Sequence, residues 1–88
     1  MIVHAEESAM RYPVLDMQAT GKRIRELRQM HKISIQTLRE NMQLESVQAI
    51  YKWERGASVP SLDNLILLSK ILETPIESIL VIHDEKTD

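Results

Sequence analysis

The sequence predicts an all-α domain of five short helices preceded by a short N-terminal arm. Apolar residues recur at three- and four-residue spacing through most of residues 19–82, as amphipathic helices require. Serine, threonine, glycine and proline stand where such helices would begin and end. No two alternating apolar segments are joined by turn chemistry, so no strand pair is predicted. At 88 residues, the chain makes one small domain.

The N-terminal arm is predicted over residues 1–18 as partly extended or flexible, because these residues show no helical period. Pro13 biases Tyr12 away from the helical region, so a short extended stretch is expected there. The arm could pack on the body of the domain or pair with a partner chain. At the other end, residues 83–88 are mostly charged and are predicted to form a flexible tail.

The helical domain is predicted over residues 19–82, and its first two helices begin at capping residues. Helix one is predicted over residues 20–31 with Thr20 as its N-cap. Helix two is predicted over residues 34–42 with Ser34 as its N-cap. In both helices apolar side chains fall at i, i+3 and close to i+7, which predicts one inward stripe.

Helix three is predicted over residues 46–55 and has a distinct start and stop. It opens at Ser46, after a turn formed by residues 43–45, and ends before Gly56, which readily adopts the left-handed conformation that terminates helices. Its apolar side, including Trp53, is expected to face the core. Its other side carries small and amide-bearing side chains, which predicts a surface that is presented outward.

Helices four and five are predicted to close the domain. Helix four, over residues 61–73 with Ser61 as its N-cap, is the most apolar segment and should lie at the centre of the core. Helix five is predicted over residues 75–82. Its start combines Thr74 as N-cap, a first-turn proline and Glu77 as the capping-box partner.

Composition excludes several classes of protein. The chain has no cysteine, so it forms no disulfide and has no thiolate chemistry. No apolar run approaches the roughly 18 residues that a membrane span needs, and no signal peptide is evident. These features predict a cytoplasmic protein with no membrane partner.

Catalytic chemistry has little support in the sequence. The three histidines, His4, His31 and His83, lie far apart with no metal-ligand spacing around them. With only two glycines there is no glycine-rich phosphate loop, and no serine or threonine has an evident base. We therefore predict no enzyme activity, no catalytic residue, no metal site and no cofactor.

Charge is distributed unevenly, although its sum is only −2. Residues 19–55 carry eight lysines and arginines against four acidic residues, whereas residues 56–88 carry two against six. The basic segment contains helix three, so it could form the electrostatic surface of a nucleic-acid binder. The alternative is that solvated helix faces differ in sign by chance.

Short motifs follow one another at a characteristic spacing between residues 18 and 82. They are Gly21-Lys22-Arg23-Ile24-Arg25-Glu26-Leu27-Arg28, Ile33-Ser34, Leu38, Gln48-Ala49-Ile50-Tyr51-Lys52-Trp53-Glu54-Arg55-Gly56, Pro60-Ser61-Leu62-Asp63-Asn64-Leu65 and Ile76-Glu77-Ser78-Ile79-Leu80. In this order they resemble the phage-repressor and Cro type of helix-turn-helix protein, also called the xenobiotic-response-element family. The resemblance implies a lambda-repressor-like fold that binds double-stranded DNA with helix 46–55 in the major groove.

The chain departs from the pattern of that family at three places. Arg39 stands where the family usually has a small residue in helix two, and Ile35 stands where it often has a glutamine. The turn at residues 43–45 is one residue longer than usual and lacks the usual glycine. The longer turn could tilt helix three or only lengthen its first turn.

Base contacts are predicted at the start of helix three. The Gln48 amide can donate to and accept from one adenine edge, a pairing worth about 1–3 kcal/mol against a wrong base. Val47 could touch a thymine methyl group or pack on Leu44. Ser46 is expected to cap the helix, and its N–H could meet a phosphate. Lys52 shares the face of Gln48 and could reach a base edge or a phosphate.

Phosphate contacts are predicted for polar and basic residues around helix three and in the loop that follows it. Each could equally be an ordinary solvated side chain, and the ring of Tyr51 could instead cover the core edge. The candidates are Tyr51, Arg55, Ser58, Ser61, Arg39 and Lys22.

Arg28 and Glu54 have a structural role according to the family resemblance. The matching positions of the family form an ion pair that links helix one to the end of helix three. We expect such a pair to add little net stability, although removal of one partner would leave a costly buried charge.

The sequence therefore predicts a sequence-specific transcriptional regulator that binds double-stranded DNA, as a homodimer on a palindromic site. The dimer surface could be helix five with its tail or the N-terminal arm around residues 12–17. The alternative is a protein-interaction module, either antitoxin-like or a regulatory subunit, that has weak or no DNA binding. Its protein partner would bind through helices 61–82.

Overall fold

The computed structural model describes residues 11–86, so the predictions for residues 1–10 and 87–88 lie outside the described part. Within residues 11–86, five helices lie between two short strands. In chain order the elements are β1 (Arg11–Leu15), α1 (Met17–Met30), α2 (Ile35–Met42), α3 (Gln48–Glu54), α4 (Leu62–Ile71), α5 (Ile76–Ile79) and β2 (Ile82–Lys86).

The five-helix fold predicted from the sequence is confirmed, and a two-stranded sheet is added to it. β1 pairs antiparallel with β2, in a register that runs from Arg11 opposite Lys86 to Leu15 opposite Ile82. The expectation of no strand pair was wrong, and residues 83–86 form a strand rather than a flexible tail. The two strands come from opposite ends of the described chain, so no turn between them marks their pairing.

Helix α1 begins three residues earlier than predicted. Asp16 is its N-cap, and the Asp16 carboxylate accepts the N–H of Ala19 at 2.9 Å. Thr20, the predicted cap, lies inside the helix with 1% of its surface exposed. Its hydroxyl accepts the N–H of Val81 at 2.9 Å, so Thr20 fastens the chain that leads into β2.

Asp16 also holds the sheet to α1. Its N–H donates to the carbonyl of Val81 at 2.8 Å, and its carboxylate lies 2.8 Å from the ring of His83. The hydrogen bond from Ala19, followed by that from His83, lowers the pKa of the Asp16 carboxyl below its ordinary value. One residue thus begins the first helix and contacts the last strand.

The predicted caps of helices two and four are present. Ser34 accepts the N–H of Thr37 at 3.0 Å, and Ser61 accepts the N–H of Asn64 at 3.2 Å. Helix α4 ends at Ile71, two residues before the predicted end. Local capping chemistry is sufficient to define these two helix starts, because both the donor and the acceptor lie within one turn.

Helices three and five are shorter than predicted. Helix α3 begins at Gln48 with Val47 as its N-cap, two residues after Ser46. Helix α5 has one turn only, and the Thr74 hydroxyl donates to the Leu72 carbonyl instead of capping it. Residues after Ile79 become extended because they lead into the pairing of β2 with β1.

The core lies between the five helices. Its most completely buried apolar side chains come from every helix, with Trp53 of α3 only 4% exposed, as the sequence predicted for that residue. The fully buried set is Ile24, Leu38, Ile50, Leu68, Leu72 and Ile79.

Gly21 allows α1 to approach the end of α3 closely. A Cβ at this position would lie 2.7 Å from the carbonyl oxygen of Glu54 and closer still to that of Trp53. Both obstacles are backbone atoms, so they cannot turn aside as a flexible side chain could. The distance between the two helices therefore depends on the absence of a side chain at residue 21.

Gly21→Ala should destabilise the protein, although alanine is the better helix former by about 1 kcal/mol. We expect the free energy of unfolding to fall by about 1–3 kcal/mol, because the added methyl group forces α1 and α3 apart. Chemical denaturation monitored by circular dichroism measures this change. A variant more stable than the parent would show that helix propensity prevails and that the close approach is dispensable.

Candidate nucleic-acid interface

Helix α3 buries one side and exposes the other. Ile50 is 0% exposed and Trp53 is 4% exposed, and both belong to the core. The exposed side carries the predicted contact residues Gln48, Tyr51, Lys52 and Arg55. At 3.6 residues per turn these four positions lie on one face of the helix. The face therefore presents an amide, a phenol and two cations to the surroundings.

The two residues before α3 are placed differently. Ser46 is exposed, and its hydroxyl accepts the N–H of Gln48 at 3.3 Å. Val47 is half-buried, and its carbonyl accepts the N–H of Tyr51 at 3.1 Å. Ser46 thus satisfies an N–H of the first turn from two residues before the helix, and Val47 keeps part of its side chain at the surface.

Arg39 closes the turn between α2 and α3. Its guanidinium donates to the carbonyl of Leu44 at 2.9 Å and lies 3.8 Å from the Glu40 carboxylate. Gln43 takes the left-handed conformation, with φ of 56°, in place of the missing glycine. A phosphate contact by Arg39, as the sequence suggested, would have to compete with these interactions. The arginine in helix two therefore stabilises the longer turn that follows this helix.

The remaining predicted phosphate contacts lie on three different elements. Ser58 is half-buried in the loop after α3, and its N–H donates to the Lys52 carbonyl at 3.4 Å. Ser61 is occupied as the cap of α4, although it is exposed. Lys22 is exposed on α1. Ser58, Ser61 and Lys22 thus lie in the loop after α3, at the start of α4 and on α1, respectively.

Arg28 and Glu54 form a two-pronged ion pair between α1 and the last turn of α3. The Arg28 Nε lies 2.7 Å and its Nη2 3.2 Å from the Glu54 carboxylate oxygens. The remaining Nη1 donates to the carbonyl of Ile33 at 2.9 Å. The side chains are only 10% and 8% exposed, respectively, so the pair is largely withdrawn from water.

A cleft of about 430 Å³ lies between α1 and α3. The Arg28–Glu54 pair forms part of its lining, together with three exposed residues of the α3 face, Gln48, Tyr51 and Arg55. The other lining residue, Arg25 of α1, was not among the predicted contacts. It lies three positions before Arg28 and therefore on an adjacent part of the helix surface, which is the signal that could have identified it.

Residues 11–86 contain no group of three or more histidine, aspartate or glutamate side chains placed to hold a metal ion. None of the helices in this part of the chain is long and apolar enough to cross a membrane.

The chain belongs to the helix-turn-helix family of the Cro/C1 type, whose model matches residues 24–79. The matched segment runs from the middle of α1 to the end of α5 and so contains the core, the turn and α3. The resemblance drawn from the sequence is therefore confirmed. No curated protein sequence matches the chain.

Solved structures with the same fold include a controller protein and two DNA-binding domains. The restriction-modification controller protein C.AhdI from Aeromonas hydrophila is 30% identical, with a TM-score of 0.66 over 73% of this chain and 96% of that one. The DNA-binding domain of BldD is 20% identical, with a TM-score of 0.63 over 74% and 93% of the two chains. The BldD domain of S. venezulae has the same identity and TM-score, over 74% and 96%. At this identity the BldD domains establish the fold alone.

The family match and the controller protein support a DNA-binding transcription regulator. Members of this family are DNA-binding proteins rather than enzymes. The fold and the family match thus both identify a DNA-binding transcription regulator, and the exposed face of α3 is consistent with this class.

Loss of both partners of the ion pair should cost less than the two single losses added together. We expect Arg28→Met to lower the free energy of unfolding by about 3–5 kcal/mol, because the Glu54 carboxylate is left without its partner in a poorly hydrated site. Glu54→Met should act similarly. The double variant should be clearly less destabilised than the sum of the two, as measured by urea denaturation of all four proteins. Additive effects would contradict a direct coupling between the two side chains.

Proposed function

We propose that the protein binds double-stranded DNA sequence-specifically, with α3 in the major groove. The observation that carries this proposal is the division of α3 into a face anchored by Ile50 and Trp53 and an exposed face that begins with Gln48. The major groove admits a helix of this diameter and displays a distinct pattern of donors and acceptors for each base pair. We expect the protein to act in the cytoplasm.

Gln48 is the principal base-contacting residue in this proposal. It is exposed in the first turn of α3, where recognition helices approach base edges. Its amide matches the N6 and N7 atoms of adenine. Val47 supplies an apolar contact for a thymine methyl group, Lys52 reaches a neighbouring base or phosphate, and Ser46 lies at the tip of the helix.

Phosphate contacts in this proposal surround that reading face. Tyr51 lies on α3 and Arg55 is its C-cap residue, whereas Ser58 and Ser61 follow in the chain and Lys22 lies on α1. Such contacts fix the register of the protein on the duplex and carry no base information of their own. Arg39 contributes mainly by holding the turn in front of α3.

Gln48→Ala should remove discrimination at one base position and leave the others unchanged. Loss of a bidentate amide contact corresponds to about 1–3 kcal/mol at that position. Duplexes selected from a random pool with the parent protein, and then varied one base pair at a time, provide the measurement by gel shift. Gln29→Ala, an exposed glutamine on α1, is the matched control. A Gln48→Ala variant with the sequence preference of the parent would contradict the assignment.

We further propose that the protein binds a palindromic site as a homodimer through the β1–β2 ribbon. The two dimer surfaces considered from the sequence were helix five with its tail and the N-terminal arm. The arm and the chain that follows helix five pair with each other as β1 and β2. A two-stranded ribbon is marginally stable by itself in water. It nevertheless exposes three apolar side chains, Tyr12 at 57%, Val14 at 41% and Ile82 at 51%. Tyr12 and Val14 lie on one face of the ribbon, whereas Ile82, paired with Leu15, lies on the other. A second copy of the ribbon packed on the first face would cover Tyr12 and Val14.

The matched pair of variants Val14→Glu and Ile66→Glu tests this dimer surface. The two side chains are almost equally exposed, at 41% and 43%, but lie on β1 and α4 respectively. A charge buried without a partner opposes association, so Val14→Glu should shift the molar mass measured by light scattering from dimer to monomer. Ile66→Glu should remain a dimer. The reverse result would move the dimer contact to α4, and a monomeric parent would contradict the proposal.

A protein partner on helices α4 and α5 is the second candidate function. Leu62 and Ile66 lie four residues apart on α4 and are 69% and 43% exposed, which gives this helix an apolar outer stripe. The surrounding segment, residues 56–88, is acidic overall. Gel shifts at two salt concentrations separate the two functions, because a duplex-binding protein loses affinity steeply with salt. A chain that binds no selected duplex at either concentration would favour the protein partner.

A further inference from the structure

We propose that the cleft between α1 and α3 binds one backbone phosphate of the duplex, with Arg25 as its principal ligand. This inference rests on the proposed function and adds to it a contact from a helix outside the helix-turn-helix pair. It concerns a residue that was not among the predicted DNA contacts and that does not lie on α3.

The charges that line the cleft do not cancel. Glu54 is neutralised by Arg28 through two hydrogen bonds at 2.7 and 3.2 Å. This pair leaves Arg25 and Arg55 as uncompensated cations on the lining. Among residues 12–84, neither has a carboxylate oxygen within 4.0 Å. A cleft with two such guanidinium groups attracts an anion, and a planar guanidinium matches two phosphate oxygens at once.

Tyr51 adds a neutral donor to this charged site. The Tyr51 side chain is 46% exposed, and the residue lines the same cleft as the two arginines. A phenol can donate one hydrogen bond to a phosphate oxygen. At about 430 Å³ the cleft has room for a phosphodiester group.

The cleft lies beside α3, on the side that would face the sugar-phosphate backbone if α3 entered the major groove. An α-helix with its side chains is roughly 10–12 Å wide and the groove roughly 12 Å, so the flanks of a bound helix face the phosphates. Gln48 belongs both to the outer face of α3 and to the lining of the cleft. When Gln48 reaches a base edge, the cleft beside it therefore lies against the backbone.

Arg25 is held in place by the junction that positions α3. It lies between Gly21, where α1 approaches the backbone of α3, and Arg28, which is bonded to Glu54. The backbone from which Arg25 projects is therefore fixed relative to Gln48 before DNA arrives. Lys22 lies about one turn before Arg25 on α1 and adds a second exposed cation on this side of the helix, outside the cleft.

Arg25→Gln should weaken binding to the selected duplex and to an unrelated duplex by the same factor, about tenfold. The slope of log affinity against log salt should fall by about one, because one phosphate contact is lost. Arg25→Lys should keep most of the slope, since it retains the charge. Gel shifts over a salt series measure both quantities, and thermal melting confirms that the variants are folded.

Arg23→Gln is the matched control for the change of charge. Arg23 lies on the opposite side of α1, where its Nε donates to the carbonyl of Ser78 in α5. The substitution removes the same charge far from the cleft. We expect its affinity to stay within about twofold of the parent value and its salt slope to stay unchanged. An effect equal to that of Arg25→Gln would show that only net charge matters, which overturns the proposal.

A methylphosphonate scan of the selected duplex locates the phosphate. One neutral linkage should weaken the parent protein about tenfold and leave the Arg25→Gln variant unaffected, because the same contact is missing already. Equal weakening of both proteins at every linkage would overturn the assignment. Loss of base discrimination in Arg25→Gln would also overturn it, since Arg25 would then read a base.

Further outcomes distinguish free phosphate from backbone phosphate. They also distinguish failure of this inference from failure of the proposed function. If inorganic phosphate, at constant ionic strength, raises the melting temperature of the parent but not of Arg25→Gln, and the two proteins bind the duplex equally well, the cleft is a site for free phosphate and the proposal is wrong. A chain that binds no duplex overturns the proposed function and this inference together. If binding and its dependence on Gln48 persist while Arg25→Gln behaves as the parent does, the inference alone fails.

Discussion

The close junction between α1 and the end of α3 is the constraint on which the presented surface depends. Gly21 lets the helix backbones approach closely, and Arg28, about two turns further along α1, forms the ion pair with Glu54. A seven-residue helix is too short to be stable by itself. The direction of its exposed face therefore depends on the contacts of its buried face. The close approach at Gly21 sets the distance between α1 and α3, and the Arg28–Glu54 ion pair sets the rotation of α3.

The ends of the described chain are tied to the same helix by different means. Asp16 caps α1, and both Asp16 and Thr20 contact the segment that leads into β2. Because the Ala19 N–H and His83 stabilise the ionised carboxylate and lower its pKa, this tie strengthens folding above the ordinary carboxyl pKa. Its contribution disappears as pH falls through the lowered pKa of the folded state. Helix α1 thus contacts the ribbon near its first residues and α3 near its last ones.

Sequence reasoning succeeded where the determining contacts are local and failed where they come from distant residues. Ser34 and Ser61 cap their helices within one turn, so their patterns were sufficient. Thr20 had equally good capping chemistry, but its hydroxyl serves Val81, whose position only the folded chain reveals. The strands were missed for the same reason. Arg39 looked like a free cation until the turn placed the Leu44 carbonyl within its reach.

The distinction between engaged and unengaged arginines also explains how an acidic chain can present a basic surface. The guanidinium groups of Arg28 and Arg39 donate hydrogen bonds to carbonyl or carboxylate oxygens of the domain. Arg25 and Arg55 have no such partner among residues 12–84. Acidic residues are concentrated after residue 56, beyond the helix-turn-helix pair. Because exposed charges further apart than roughly 10 Å are largely screened at 0.1 M salt, the local pair of cations outweighs the net charge of −2. The field that a duplex meets is therefore set by which guanidinium groups folding has left unpaired.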